Sequence, residues 1–287
     1  MVLNSFAKLN LYLKVIGRRA DGYHNIETVF ERIDLKDRII IYPLRNKKIN
    51  LLCDCPLVPK DSSNLAYRSA KLLQDTFKIN QGAEIRIIKH IPIGAGLGGG
   101  SSNAAGVLLG LNRLWKINLS KDRIAGLAAK LGCDIPFFVY EVPFAEGSGR
   151  GDRITPLKRL SKIKLWHILV VPKIEVSTSF IYSKFDKYST LTNSKKDVKL
   201  LYLALKNFNI SLLSEALFNS LEEITFRFFP QVKRIKQELL NLGLKSILMS
   251  GSGPAVFGVV SSRKEADGLK EYLKKNRAWQ VFVVRTT

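Results

Sequence analysis

From Ala7 to Val15 the chain alternates: Ala7, Leu9, Leu11, Leu13 and Val15 are apolar, and Lys8, Asn10, Tyr12 and Lys14 fall between them. A period of two predicts a half-buried strand, with Lys8 and Asn10 together on the face turned from the core. Asp21-Gly22 marks a turn within 18–23, and apolar runs at 39–42 and 49–53 predict two more strands. Asn64, preceded by Ser62 and Ser63, stands as a polar cap before a helix opening at Leu65. Residues 83–88 alternate again, whereas 103–115 is apolar almost all round, the pattern of a buried helix. Ser120 caps another helix, where Ile124, Leu127, Ala128 and Leu131 recur at i, i+3, i+4 and i+7 before Gly132 stops it.

The second half predicts a strand at 165–171, a loop or insertion over the polar stretch 184–199, and helices at 198–205 and 230–242, the latter ended by Gly243. A strand at 246–249, a glycine turn at 250–254, a strand at 255–260, a helix at 263–275 and a strand at 280–284 follow. The order helix, strand, strand, helix, strand predicts a compact α+β sandwich. Two domains are expected, 1–158 and 159–287, although no Pro/Gly/Ser-rich linker marks the boundary.

Composition narrows the class. With 287 residues, 46% hydrophobic and 24% charged, the chain is an ordinary globular one. The apolar stretch 135–145 is broken by Pro136, Glu141 and Pro143 and falls well short of the roughly 20 residues of a membrane span. The N-terminus lacks the basic-then-apolar order of a signal peptide. Three cysteines, Cys53, Cys55 and Cys133, fit no zinc spacing, and their odd number suits a reducing cytoplasm. The formal net charge of +22 invites an anionic partner, and an RNA-binding protein is the rival of a different class. The charge is spread, however, over pairs such as Lys47-Lys48 and Lys274-Lys275, and no strand interleaves aromatic with basic residues. Solvated basic faces are therefore expected, with no nucleic-acid and no membrane partner.

The densest chemistry lies in Pro92, Ile93, Gly94, Ala95, Gly96, Leu97, Gly98, Gly99, Gly100, Ser101 and Ser102, followed by Asn103. Glycines let anions reach backbone N–H groups, and a helix N-terminus behind them adds a positive dipole end. Gly94, Gly96 and Gly99 match the dinucleotide fingerprint literally, yet the acidic residue closing a second strand is missing, since Asp122 opens a helix. A Walker loop would need a lysine after the glycines, and the protein-kinase companion strings are absent. A tight turn before a buried helix is the purely structural alternative. Asp134, before Ile135 and Pro136, reads either as a positioned carboxylate or as a helix cap. Lys8 alone reads as an exposed strand lysine, and Tyr23-His24 alone as a structural loop pair.

Together these strings resemble the GHMP kinases. The run 92–105 resembles their phosphate loop, and 250–257 their third motif. Residues 7–11, 17–24 and 131–138 resemble the branch that phosphorylates a cytidine diphosphate-linked methylerythritol. The resemblance implies an α+β, two-domain fold: an N-terminal α/β domain for nucleotide and substrate, and a C-terminal α+β sandwich with the site between them. It implies ATP as donor with Mg²⁺, a small-molecule acceptor, Asp134 as the proton acceptor and Lys8 as its partner. Residues 92–102 would hold phosphates, and Lys89 and Asn64 are candidates for the adenine side. Asn10, Tyr23, His24 and Tyr182 would take the acceptor, with Tyr23, His24 and Tyr182 on the base. Homoserine- or mevalonate-type kinases are the nearest alternative, and Tyr23-His24 argues against them because those acceptors carry no base. Cys133 and Pro254 depart from the family pattern, Pro254 standing where a hydroxyl residue is usual. The oligomeric state stays open.

Overall fold

The computed structural model describes residues 1–188, 197–207 and 209–287. In chain order the first half runs β1 (Val2–Arg18), β2 (His24–Leu44), β3 (Ile49–Cys53), α1 (Leu65–Thr76), β4 (Gly82–Ile88), α2 (Gly99–Leu114), α3 (Lys121–Ala128), α4 (Ile135–Tyr140), β5 (Phe144–Ser148) and β6 (Arg153–Pro156). The second half runs β7 (Trp166–Pro172), α5 (Thr178–Tyr188), α6 (Val198–Lys206), α7 (Ile210–Ala216), β8 (Phe218–Asn219), α8 (Glu222–Phe228), α9 (Pro230–Asn241), β9 (Ile247–Met249), β10 (Val256–Val260), α10 (Arg263–Leu273) and β11 (Trp279–Arg285).

Two sheets organise these elements. The first has the order β3-β4-β2-β1-β8, with β5 also on β2 and β6 on β5; the second has the order β11-β7-β10-β9. One hydrophobic cluster packs α1 to α4 on the first sheet, through residues such as Ile39, Ile41, Leu73, Ile85 and Leu108. A second lies where the sheets meet and holds Leu9, Leu11, Ile33, Leu169 and Phe257. A third joins the second sheet to its helices through Ile168, Val170, Ile235, Leu239 and Val256. Helix α2 lies directly on β2. A Cβ on Gly106 would meet Ile39 Cδ1 at 2.6 Å, and one on Gly110 would meet Ile41 Cδ1 at 2.6 Å. Glycine at i and i+4 is what admits so close a helix–sheet approach.

Several expectations change. Lys8 and Asn10 do not face solvent: both are buried, because the loops at 94–98 and 250–252 cover the outer face of β1. Their face was polar for a reason other than exposure. Helix α2 begins at Gly99, not after Asn103, so Gly99 to Ser102 form its first turn and Asn103 follows in the second. The alternation in β2 is hidden by Glu31, Asp34 and Asp37, and bulges shift the β1–β2 register, one of them between Asn10 and Tyr12. Strands β5, β6 and β8 and helices α7 and α8 were not expected. The polar stretch is helical at both ends, in α5 up to Tyr188 and in α6 from Val198; its middle, 189–196, lies outside the described residues. No helix among the described residues is long and apolar enough to cross a membrane.

Polar contacts tie distant segments together. Asp37 is fully buried on β2. Its carboxylate accepts the backbone N–H of His90 (2.7 Å) and of Ile91 (2.8 Å), the Asn103 amide (2.9 Å) and the Lys89 ammonium. Asn103 also donates to Ser5 Oγ at 2.9 Å. Between the sheets, Glu31 Oε1 is 2.9 Å from His167 Nε2 and accepts the Thr286 hydroxyl at 2.6 Å.

A buried carboxylate with four donors cannot be removed without orphaning them. Asp37→Ala should lower the stability of the folded chain by about 3–5 kcal/mol, read as a drop in the urea midpoint with little change in slope.

Candidate active site

A cleft of ≈ 860 Å³ opens between the glycine run, β1, the start of α4 and the helix α5. Gly94, Gly96 and Gly98 have φ of +65°, +74° and +68°, while Ala95 and Leu97 between them are not in the left-handed region. Alternation of this kind turns successive N–H groups toward one side, a concavity suited to an anion. Gly98 leads straight into α2, whose N-terminal dipole end faces the same space. The loop is backed by the turn at 250–253. A Cβ on Gly96 would lie 2.4 Å from the Ser250 carbonyl oxygen, so the two backbones touch there. Ala255 N–H donates to the Ala95 carbonyl at 3.2 Å, and Lys8 N–H to the Leu97 carbonyl at 3.0 Å.

Lys8 and Asp134 stand at the floor. Lys8 Nζ donates to Asn10 Oδ1 at 2.5 Å and lies 3.6 Å from Asp134 Oδ2; Lys8 is 4% exposed and Asp134 36%. Asn10 is held in turn, its amide donating to Thr28 Oγ1 at 2.8 Å and its backbone N–H to Ser250 Oγ at 3.2 Å. Asp134 occupies the N-cap position of α4 but makes no side-chain capping bond. Its carboxylate is therefore left for the cleft, which removes the cap as its purpose. The 3.6 Å gap is an ion pair rather than a hydrogen bond, and leaves room for a third group near both charges.

At the other end His24 is gripped by α5. Its ring stacks on Tyr182 (centroids 4.8 Å, 29°) and meets Phe185 edge-on at 6.4 Å. Nε2 lies 2.6 Å from Asp186 Oδ1, and Arg18 Nε lies 3.6 Å from Asp186 Oδ2. Tyr182, Phe185 and Asp186 are at i, i+3 and i+4, one face of the helix. Burial, aided by the Asp134 charge, pushes the Tyr182 phenol up, so it stays protonated. Tyr23 is exposed, and the Arg150 guanidinium lies 5.0 Å from its ring centroid, held by Asp152 through bonds of 3.0 and 2.7 Å.

Of the residues singled out from sequence, Lys8, Asn10, Tyr23, His24, Gly94 to Ser101, Asp134 and Tyr182 line this cleft. Others are placed elsewhere. The Asn64 side chain caps α1 at Ala66 N (2.8 Å) and donates to the Pro59 carbonyl (2.6 Å). Lys89 turns to Asp37. Ser102 is buried and accepts from Ser5 Oγ at 2.8 Å. Pro92 and Ile93 lie at the loop entrance, off the cleft wall. The side chains missed were Arg150, Asp186 and the hydroxyl pair Thr178–Ser252 (2.9 Å), all on the wall. A signal existed for two of them: Arg150 sits between Gly149 and Gly151, both at positive φ, and Asp186 is one helical turn from Tyr182.

Fold and cleft define a class, and comparison with known proteins agrees with it. The family profile "GHMP kinases N terminal domain" matches residues 64–141, and "GHMP kinases C terminal" matches 201–278. The 4-diphosphocytidyl-2-C-methyl-D-erythritol kinase of Geobacillus kaustophilus (strain HTA426) is 42% identical, over 97% of this chain and 94% of that protein. The enzyme of the same name from Symbiobacterium thermophilum is 39% identical, over 100% and 99%. A crystal structure of 4-(cytidine 5'-diphospho)-2C-methyl-D-erythritol kinase superposes with a TM-score of 0.82 at 33% identity, covering 99% of each chain. A homoserine kinase from Cytophaga hutchinsonii shares the fold, with a TM-score of 0.77 at 20% identity over 100% of this chain and 94% of that one. The chain belongs to the 4-diphosphocytidyl-2-C-methyl-D-erythritol kinase family of GHMP kinases.

Cys133, beside Asp134 on the wall, has its thiol pushed up to about 11 by burial. The raised value keeps it a neutral thiol at working pH and removes its nucleophilicity. At pH 8, iodoacetamide should alkylate Cys133 about 100-fold more slowly than a free cysteine, as site-resolved mass spectrometry would report.

Proposed function

We propose that the chain transfers the γ-phosphoryl group of ATP to the 2-hydroxyl of 4-diphosphocytidyl-2-C-methyl-D-erythritol, giving the 2-phosphate and ADP, within non-mevalonate isoprenoid biosynthesis. The observation that carries this reading is the Lys8–Asp134 pair at the mouth of the glycine loop, in one cleft with the His24–Tyr182 stack. Phosphoryl transfer asks a protein chiefly for positioning and for charge aimed at the transferring group. The N–H groups of 94–101 and the α2 dipole take the donor phosphates. Asp134 accepts the proton of the acceptor hydroxyl as its oxygen attacks the γ-phosphorus and ADP departs. Lys8 pairs with that carboxylate and offers positive charge to the oxygens in flight. Asn10 fixes the Lys8 ammonium and reaches the acceptor. Tyr23 and Tyr182 supply faces for a pyrimidine, and His24 supplies an edge.

Mg²⁺ enters with the nucleotide. No group of three or more His, Cys, Asp or Glu gathers among the described residues. The oxygen donors by the loop are the Ser101 hydroxyl and the Asp134 carboxylate, which suits an ion that keeps most of its waters and phosphate ligands. In this reading residues 1–158 hold donor and catalytic pair, and 159–287 close the acceptor end with α5 and back the glycine loop with the 250–253 turn.

Homoserine and mevalonate carry no base, and nothing in the cleft favours them over a cytidyl acceptor. Measured ADP release should be rapid with the cytidyl acceptor and near background with homoserine or mevalonate. Asp134→Asn should lower kcat by about 10²–10⁴; a fully active Asp134→Asn enzyme would remove the proposed base. His24→Ala should raise KM for the cytidyl acceptor about tenfold while ATP affinity holds. Equal loss of both would overturn the base-recognition role.

A further inference from the structure

The base end of the cleft contains a carboxylate that phosphoryl transfer has no use for. Asp186 lies on the wall next to His24, reached from the opposite half of the chain. Resting on the cytidyl reading above, we propose that Asp186 is a positioning residue that fixes the tautomer of His24 and thereby selects cytosine over uracil.

An ionised carboxylate only accepts, so the 2.6 Å contact places a proton on His24 Nε2. In the neutral ring the lone pair then sits on Nδ1. Tyr182 covers a face of the ring and Phe185 abuts an edge, and the Asp186 contact favours the orientation that keeps Nε2 toward the carboxylate. Arg18 Nε lies 3.6 Å from the other Asp186 oxygen and helps hold the carboxylate in place beside the ring. The result is an acceptor of fixed direction on the cleft wall. Cytosine carries an amino donor at the 4-position and uracil carries a keto acceptor there. An acceptor aimed at that position binds the first and repels the second. Sites that pair a specific donor or acceptor reject the mismatched analogue far better than sites that only fill space.

The test uses the full chain and two probes, cytidine 5'-diphosphate and uridine 5'-diphosphate, with affinities measured by calorimetry. The wild type should prefer the cytidine form by about tenfold or more. Asp186→Asn, nearly isosteric, and Asp186→Ala should both lower this preference about tenfold, with the kinetic loss read in KM for the cytidyl acceptor rather than in kcat. Asp186→Glu should restore part of the preference. The chain has three histidines, so ¹⁵N spectra assign the His24 ring by its loss in His24→Gln. The Nε2–H tautomer should dominate in the wild type and mix with Nδ1–H in Asp186→Ala. An unchanged cytidine-to-uridine ratio in both variants, or an unchanged tautomer, overturns the role of Asp186 while leaving the cytidyl reading in place. A wild type that does not distinguish the two diphosphates overturns both.

Discussion

A loop proposed to cradle phosphate has to keep its N–H groups free, and so cannot be held by its own hydrogen bonds. The carboxylate of Asp37 meets that constraint. It takes the N–H groups of His90 and Ile91 just before the loop, and the Asn103 amide just after it. Both ends of the run are thus fastened to one side chain on the central strand. The middle is fastened by close backbone contact with the 250–253 turn, at Gly96. Everything else in the cleft is placed relative to this anchored loop. Lys8 bonds to it through its main chain, and its ammonium reaches back toward Asp134.

The cleft belongs to neither half of the chain. The first sheet brings Lys8, Asn10 and the phosphate loop; the second half brings α5, the 250–253 turn and β8, which pairs with β1 at Tyr12 and Leu13. Glu31, His167 and Thr286 form a polar joint between the two sheets in otherwise apolar surroundings. Burial of Lys8 follows from this closure. A lone ammonium there would be costly, and Asn10 and Asp134 offset it. Folding therefore meets the desolvation of the charge once.

What could be read in advance was what is local. The cap at Asn64, the glycine run and the order from α9 to β11 rest on neighbours a few residues apart, and they stand in the structure at nearly the expected positions. The motif resemblance added Lys8, Asp134, Tyr23 and His24, all of which reach one cleft. Partnerships across long separations were invisible. The donors to Asp37 lie more than fifty positions away from it. Lys89 and Ser102 looked free to meet a nucleotide, but each had a partner in that network. The alternation around Lys8 was read correctly as period two, yet polarity was equated with exposure; the covering loops come from residues near 95 and 250.

The grip of α5 on His24 shares no residue with the phosphate loop. In the proposed reading, the donor and acceptor ends are thus built from different residues. Substitutions along one face of a single helix could retire one acceptor and admit another without disturbing the handling of phosphate. A scaffold arranged in this way leaves the acceptor end open to change one helix at a time, while the fold itself is one shared with a homoserine kinase at 20% identity.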